Sequence, residues 1–345
     1  MTNFIVIFIT AFVFAVAATP VARWTARRLR LVDTPSARRV HMLPTPLLGG
    51  VAIYGAFILA LLFFYQSFQL PQLISILVGA TLVSFLGIWD DSRGLRPLLK
   101  LVGQGAAAMV LIAAGVHVSF LGNVYLNYAV TLVWVVGITN ALNLLDNMDG
   151  LSGGMAAVAS AFFVLLAFLS GQYLVGALGA ALLGACLGFL LYNMNPASIF
   201  MGDTGSLFLG FVLAALGIKL RFENIPAVTW MVPVLVLGLP IFDTALVVIS
   251  RLRRRCNPLT TPGKDHTSHR LVASGMSHRR AVLTLYGVCV LLGLMAVAVT
   301  RATVIEAYIM GGTVAVVGLW ALVQLELKGY DSWEMKTSGL VKERQ

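Results

Sequence analysis

Polar residues in this chain are confined to short stretches between long apolar ones. Residues 101–145 carry no Asp, Glu, Lys or Arg over 45 positions, and residues 150–202 carry none over 53. A spanning helix needs about 20 apolar residues. Each run therefore holds two, turning at Gly122-Asn123 and at Ser170-Gly171-Gln172. Along the whole chain the pattern predicts an all-α polytopic integral membrane protein of about eleven transmembrane helices. The expected spans are roughly 4–22, 47–65, 71–89, 98–116, 127–145, 153–170, 174–192, 205–220, 228–250, 281–299 and 304–326. Residues 1–327 then form one membrane-embedded unit, and 328–345 form a tail.

Charge sets the orientation. On this topology twenty-one of the 24 Lys and Arg fall on one side, and only Lys219, Arg221 and Arg301 fall on the other. Basic loops stay in the cytoplasm, which predicts an N-terminus outside and a C-terminus inside. The net charge of +10 is then a topology signal with some attraction for anionic head groups. It is not a nucleic-acid footprint, because no basic stretch carries interleaved aromatics or a binding module. The first span lacks a basic segment before it and is followed by Arg23, Arg27, Arg28 and Arg30, the pattern of a retained helix. Cys186, Cys256 and Cys289 have no metal-like spacing and form no obvious pair.

The chain has only 14 Asp and Glu, and Asp90, Asp91, Asp146, Asp149, Asp203 and Asp243 sit at or inside the ends of apolar segments. A carboxylate near a bilayer is costly and usually has a partner. The polar clusters follow spans 3, 5, 7 and 9, so all are expected on the cytoplasmic side, in the loops at about 90–100, 146–152, 193–204 and 251–280, joined there by the loop after span 1 at about 23–46. Adjacent Asp90 and Asp91, with Lys100 beyond Pro97, suit a bound cation or a base, although an Asp-rich turn would look the same. Asn140, Asn143, Asp146 and Asp149 recur every three residues along one helical face. They suit a buried polar ligand or polar packing between helices.

Asp203, in Phe200-Met201-Gly202-Asp203-Thr204-Gly205-Ser206, reads alone as a helix cap. A glycine-flanked helix start also suits phosphate. Asp243, about two turns before Arg251, can pair with an Arg or support the site from behind. In the last loop the three consecutive Arg253-Arg254-Arg255 are topology determinants, whereas His266, His269 and Arg270 suit phosphate contacts better than a metal.

These motifs, in this order and on these loops, resemble the polyprenyl-phosphate N-acetylhexosamine-1-phosphate transferase superfamily. The resemblance runs from the stretch at 38–50 (RRVHMLPTPLLGG) to about residue 285. It is nearest the branch that loads GlcNAc-1-phosphate onto undecaprenyl phosphate to start cell-envelope polymers. The sister branch, the phospho-N-acetylmuramoyl-pentapeptide transferases, has a run of three histidines followed by Glu that is absent here, and typically ten spans. Two positions depart from the pattern. Asn147 stands where the family commonly has Gly, and Ser268 where the first branch has His, which bears on sugar identity.

The resemblance implies a multi-pass protein of the cell (inner) membrane with its active site facing the cytoplasm. A HexNAc-1-phosphate passes from a UDP-sugar to a polyprenyl phosphate lipid, with Mg²⁺ as cofactor and Mn²⁺ as a substitute. Asn143 and Asp203 are the implied metal ligands, and Asp90, Asp91 and Asp146 the implied catalytic groups. Lys100, Asn140, Asp149, Asn193, Phe200, His266, His269 and Arg270 are the implied substrate contacts. Homodimers occur in the family. A secondary transporter would instead place its carboxylates near the midplane, often within internal repeats, and no repeat is present.

Overall fold

The computed structural model describes residues 2–33, 44–62, 70–258, 261 and 263–342, with side chains from 3 to 327. Residues 38–43 of the stretch at 38–50, residues 63–65 of the second expected span, positions 259–260 and 262 of the last loop, and 343–345 of the tail lie outside the described residues.

Among the described residues the architecture is helical: α1 (Thr2–Arg28), α2 (Gly49–Leu61), α3 (Leu70–Arg93), α4 (Pro97–Ala113), α5 (Val124–Leu145), α6 (Leu151–Leu169), α7 (Tyr173–Asn193) and α8 (Gly202–Lys219), then α9 (Pro226–Thr229), α10 (Met231–Val236), α11 (Gly238–Arg253), α12 (Thr267–Ala273), α13 (His278–Val299) and α14 (Val304–Lys342). Eight of these are long and apolar enough to cross a membrane. One further candidate is a bent pair, and α2 and α4 are shorter apolar helices. The protein is an all-α, multi-pass membrane protein.

Three expectations need correction. The ninth span, expected as one helix over 228–250, is broken: Pro226–Val236 and Gly238–Arg253 meet at 73°. Pro233, Gly238 and Pro240 crowd this break, and proline both lacks an N–H and clashes with the preceding turn. Asp90 and Asp91, expected just after span 3, lie within the last turns of α3. A small antiparallel pair, β1 (Val32–Asp33) with β2 (Thr45–Pro46), and a parallel bridge between Leu47 and Phe200 add strand pairing to an otherwise helical fold.

Local chemistry explains several boundaries. Asn123 caps α5 by accepting from the amides of Tyr125 (2.8 Å) and Leu126 (3.2 Å). Ser277 caps α13 through Arg280 N–H (3.3 Å). Pro97 and Pro226 open α4 and α9, where the missing N–H costs nothing. Helix α8 is buried along almost its whole length and is apolar on every side, as a central helix must be.

Small residues let its neighbours close on it. A Cβ on Gly87 of α3 would lie 2.4 Å from the Thr204 backbone, and one on Gly50 of α2 would lie 2.2 Å from Gly205 N. This contact fixes the end of α3 against the start of α8. Gly87→Ala should therefore lower stability by about 1–3 kcal/mol. Gly55→Ala, where a Cβ meets nothing within 4 Å, should be neutral or stabilise by about 0.5–1 kcal/mol. Thermal melts of both variants in detergent check the pair.

Candidate active site

The C-terminal ends of α3, α5 and α7 meet the N-terminal ends of α6 and α8 at one end of the bundle. There they surround a cavity of about 880 Å³. Of the residues expected to act, Asp90, Asp91, Asn143, Asp146, Asp149, Asn193, Phe200, Asp203 and His269 line it.

Asp91 organises the centre. Its carboxylate accepts from Asp203 N–H (2.8 Å), Thr204 N–H (3.1 Å) and the Thr204 hydroxyl (2.7 Å). The first-turn amides of α8 are thus capped from another helix, which also suits the positive end of its dipole. Gly202 permits the approach: its φ is +66°, and a Cβ there would lie 2.5 Å from Asp91 Oδ2. Asp203 is therefore not the helix cap. It sits in the first turn, and its Oδ1 accepts from Asn143 Nδ2 (2.9 Å) while Oδ2 pairs with Lys100. The same Lys100 ammonium pairs with Asp90, whose other oxygen accepts from Leu95 N–H. Lys100 thus bridges two carboxylates and is not on the cavity wall.

Asp146 ends α5, its N–H donating to Asn143 O (3.3 Å). Burial, and then the charges of Asp203, Asp91 and Asp149, push its carboxyl up to about 8. So much negative charge around one cavity favours a cation there. Among the described residues no three His, Cys, Asp or Glu converge as a protein cage for a metal. The oxygens of Asp203 and Asn143 nevertheless suit a hard cation that keeps water and phosphate ligands.

The loop after α5 is held from below. Asp149 accepts from Asn195 Nδ2 (2.9 Å) and Ala197 N–H (3.0 Å). Asn193 accepts from Gly150 N–H (3.1 Å) and donates to Ile199 O (2.9 Å), and Tyr286 O–H donates to Gly150 O. Gly150 has a φ of +76°, which glycine adopts without steric cost. Phe200 is fixed through its backbone, its N–H donating to Pro46 O and its carbonyl accepting from Gly49 N–H, both at 2.9 Å.

Four expected substrate contacts lie off the wall, engaged with protein. Lys100 is one. Asn140 pairs with the buried Gln104 of α4 (2.5 Å) and with Val136 O (2.8 Å), which is the polar-packing alternative. His266 Nδ1 pairs with Asp243 (2.8 Å), whose other oxygen accepts from Thr267 N–H (2.7 Å). Arg270 donates to Glu326 (2.8 Å), Ser250 Oγ (2.9 Å) and the carbonyls of Asp265 and Leu325.

Beneath them Asp265 accepts from Arg251 at 3.0 and 3.1 Å and from Arg254 at 2.5 Å. Despite its burial, these guanidinium groups hold its carboxyl below the usual range. His269 alone of the motif reaches the cavity. Burial, then the charges of His266 and Lys264, lower its pKa to about 4, so it is neutral near pH 7.

Asp33, Thr45, Asn147, Asn195 and His278 also line the cavity and were not expected as site residues. His278 closes the same loop as the His-x-x-His-Arg motif, two residues before Arg280, and position in that loop was the available signal. Asp33 and Thr45 are brought in by the β1–β2 pairing, which short strands do not announce.

Asp146 gives a signed pH dependence. Its carboxyl holds a proton in the fold that the unfolded chain loses near pH 4. The folded state thus binds more protons from pH about 4 to about 8, and stability from this group falls over that range and then levels off. In EDTA the melting temperature should fall from pH 5 to 8, and less steeply in Asp146→Asn.

The sequence pattern of glycosyl transferase family 4 matches residues 73–221, the helices that carry most of this cavity. The chain is 34% identical to a probable undecaprenyl-phosphate N-acetylglucosaminyl 1-phosphate transferase of Bacillus subtilis, covering 88% of this chain and 87% of that one. It is 32% identical to a decaprenyl-phosphate N-acetylglucosaminephosphotransferase of Mycobacterium tuberculosis over 94% and 90%. It is also 33% identical to a phospho-N-acetylmuramoyl-pentapeptide-transferase of Levilactobacillus brevis, over 71% of this chain and 80% of that one. The chain belongs to glycosyl transferase family 4, alongside the polyprenyl-phosphate N-acetylglucosaminyl 1-phosphate transferases.

Proposed function

We propose that this protein transfers GlcNAc-1-phosphate from UDP-GlcNAc to undecaprenyl phosphate, or a related polyprenyl phosphate, at the cytoplasmic face of the cell membrane. The observation that carries the reading is a carboxylate-lined cavity at one end of the helix bundle, in a chain of this family. An oxygen of the lipid phosphate attacks the sugar-bearing phosphorus of the UDP-sugar. The bond from that phosphorus to the bridging oxygen breaks, and UMP leaves.

Two anions must meet for this. A divalent cation, Mg²⁺ with Mn²⁺ as a substitute, would supply charge on the diphosphate and the departing UMP. Asp203 and Asn143 would hold it. Asp90 and Asp91 orient the lipid phosphate, Asp91 through its fixed place on the start of α8. Asp146 positions the diphosphate, neutral His269 offers it a hydrogen bond, and Phe200 stacks on the uracil. Lys100 keeps Asp90 and Asp203 at a fixed separation. Purified protein with undecaprenyl phosphate, Mg²⁺ and a panel of UDP-sugars, UDP-N-acetylmuramoyl-pentapeptide included, should release UMP fastest with UDP-GlcNAc. Release with the pentapeptide substrate alone would assign the sister activity.

The topology that goes with this reading has eleven crossings. The eight long helices, α2, α4 and the broken α9–α11 segment each cross once, the N-terminus lies outside, and residues 1–327 act as one unit ahead of a cytoplasmic tail. In a background lacking Cys186, Cys256 and Cys289, cysteine at Arg93 or Lys264 should label only from the cytoplasm. Cysteine at Gly122 should label only from outside. Labelling of both classes from one side would overturn the topology.

Asp203→Asn separates the metal role from a structural one. Asp91 already caps α8, an Asn at 203 can still accept from Asn143, and Lys100 keeps its pair with Asp90, so unfolding free energy should shift by no more than about 1 kcal/mol. Turnover should fall about 100-fold or more, because charge that develops during transfer loses its counterpart. Near-normal turnover with unchanged Mg²⁺ dependence would remove Asp203 from the metal site.

A further inference from the structure

Two polar residues far apart in the sequence touch each other beside the cavity. Asn147 lies in the loop after α5, and Ser268 is the second residue of α12, 121 positions away. The Ser268 hydroxyl donates to Asn147 Oδ1 at 2.6 Å. Asn147 Nδ2 is committed to Leu144 O (3.0 Å), which leaves the amide oxygen facing Ser268. A glycine at 147 would have no side chain to make this bond.

The bond joins two segments that both face the cavity. On one side Asp146, Asn147, Met148 and Asp149 line it, and on the other His269 does. Ser268 itself is 1% exposed and does not reach the cavity. Helix α12 is anchored on its far side by Asp243 at Thr267 N–H and by Glu326 at Arg270. The Ser268–Asn147 bond is the tie toward the cavity.

We propose that Ser268 is a positioning residue. Its bond to Asn147 clips the His269 segment to the diphosphate loop and so sets how tightly the sugar-diphosphate part of the nucleotide sugar is gripped. This rests on the transferase reading. The clip acts on the donor, because the loop it holds carries Asp146, assigned above to the diphosphate, and the segment it holds carries His269, assigned to the same group.

A double-mutant cycle on the full-length protein tests it. Ser268→Ala should raise KM for UDP-GlcNAc on the order of fivefold, the size expected of one ordinary hydrogen bond, with kcat within twofold and KM for undecaprenyl phosphate unchanged. The double variant Asn147→Ala/Ser268→Ala should have the KM of Asn147→Ala alone, because the bond can be lost only once.

Hydrogen exchange of residues 263–273, followed by mass spectrometry without substrate, should speed up equally in Ser268→Ala, Asn147→Ala and the double variant. Additive KM effects, a fall in kcat alone, or exchange unchanged in Ser268→Ala would overturn the clip. Wild-type protein that released no UMP from any UDP-N-acetylhexosamine would overturn the transferase reading instead, and the exchange result would then judge the clip by itself.

Discussion

The site depends on one carboxylate placed against one helix start. Asp91 accepts two backbone amides and a hydroxyl from the first turn of α8, and so joins the end of α3 to the most deeply buried helix of the bundle. Two glycines make the contact geometrically possible. Gly87 lets the helix backbones approach, and Gly202 clears space for the carboxylate and takes the left-handed turn. Buried amides at a helix start need acceptors, and here the acceptor is a charge. The cap therefore also brings negative charge to the site, and Asp203 is left free for other partners.

Those partners balance charge only in part. Lys100 sits between Asp90 and Asp203, whereas Asp146 pairs with no cation among the described residues and keeps its proton up to about pH 8. On the far side of α12 the balance is different. Asp265 has two arginines, Arg251 and Arg254, and Glu326 also has two, Arg253 and Arg270, so positive charge is in excess there. One end of the bundle thus holds two electrostatic environments side by side. One has more cations than carboxylates, and the other more carboxylates than cations.

The sequence showed the helical class, the positions of most spans and the segments that converge, because long apolar runs and charge placement are direct physical signals. It was less informative about what each polar side chain faces. Asn143 and Asn140 lie on the same face of α5, yet Asn143 meets Asp203 and lines the cavity, while Asn140 meets Gln104. Spacing along one helix cannot say whether the neighbour is a substrate or another helix. His266 and Arg270 show the same ambiguity: both carry phosphate-binding chemistry, and both are occupied by Asp243, Glu326 and Ser250. The short β1–β2 pairing, which brings Asp33 and Thr45 to the cavity, left no periodic signal, since two residues cannot establish a period of two.

The break in the ninth span links these observations. A straight helix over 228–250 would carry Asp243 and Arg251 on whatever course its first half set. The 73° bend after Val236 frees the second half to follow its own course, and that half ends beneath α12 with Asp243 at its N-terminus and Arg251 against Asp265. Pro233, Gly238 and Pro240 thus act at a distance from the cavity. By redirecting α11 they supply the base on which the His269 segment is held, and the Asn147–Ser268 bond ties that segment to the loop after α5. The polar loop is consequently held by hydrogen bonds to neighbouring elements before any ligand arrives, and a preordered loop lowers the ordering cost of binding.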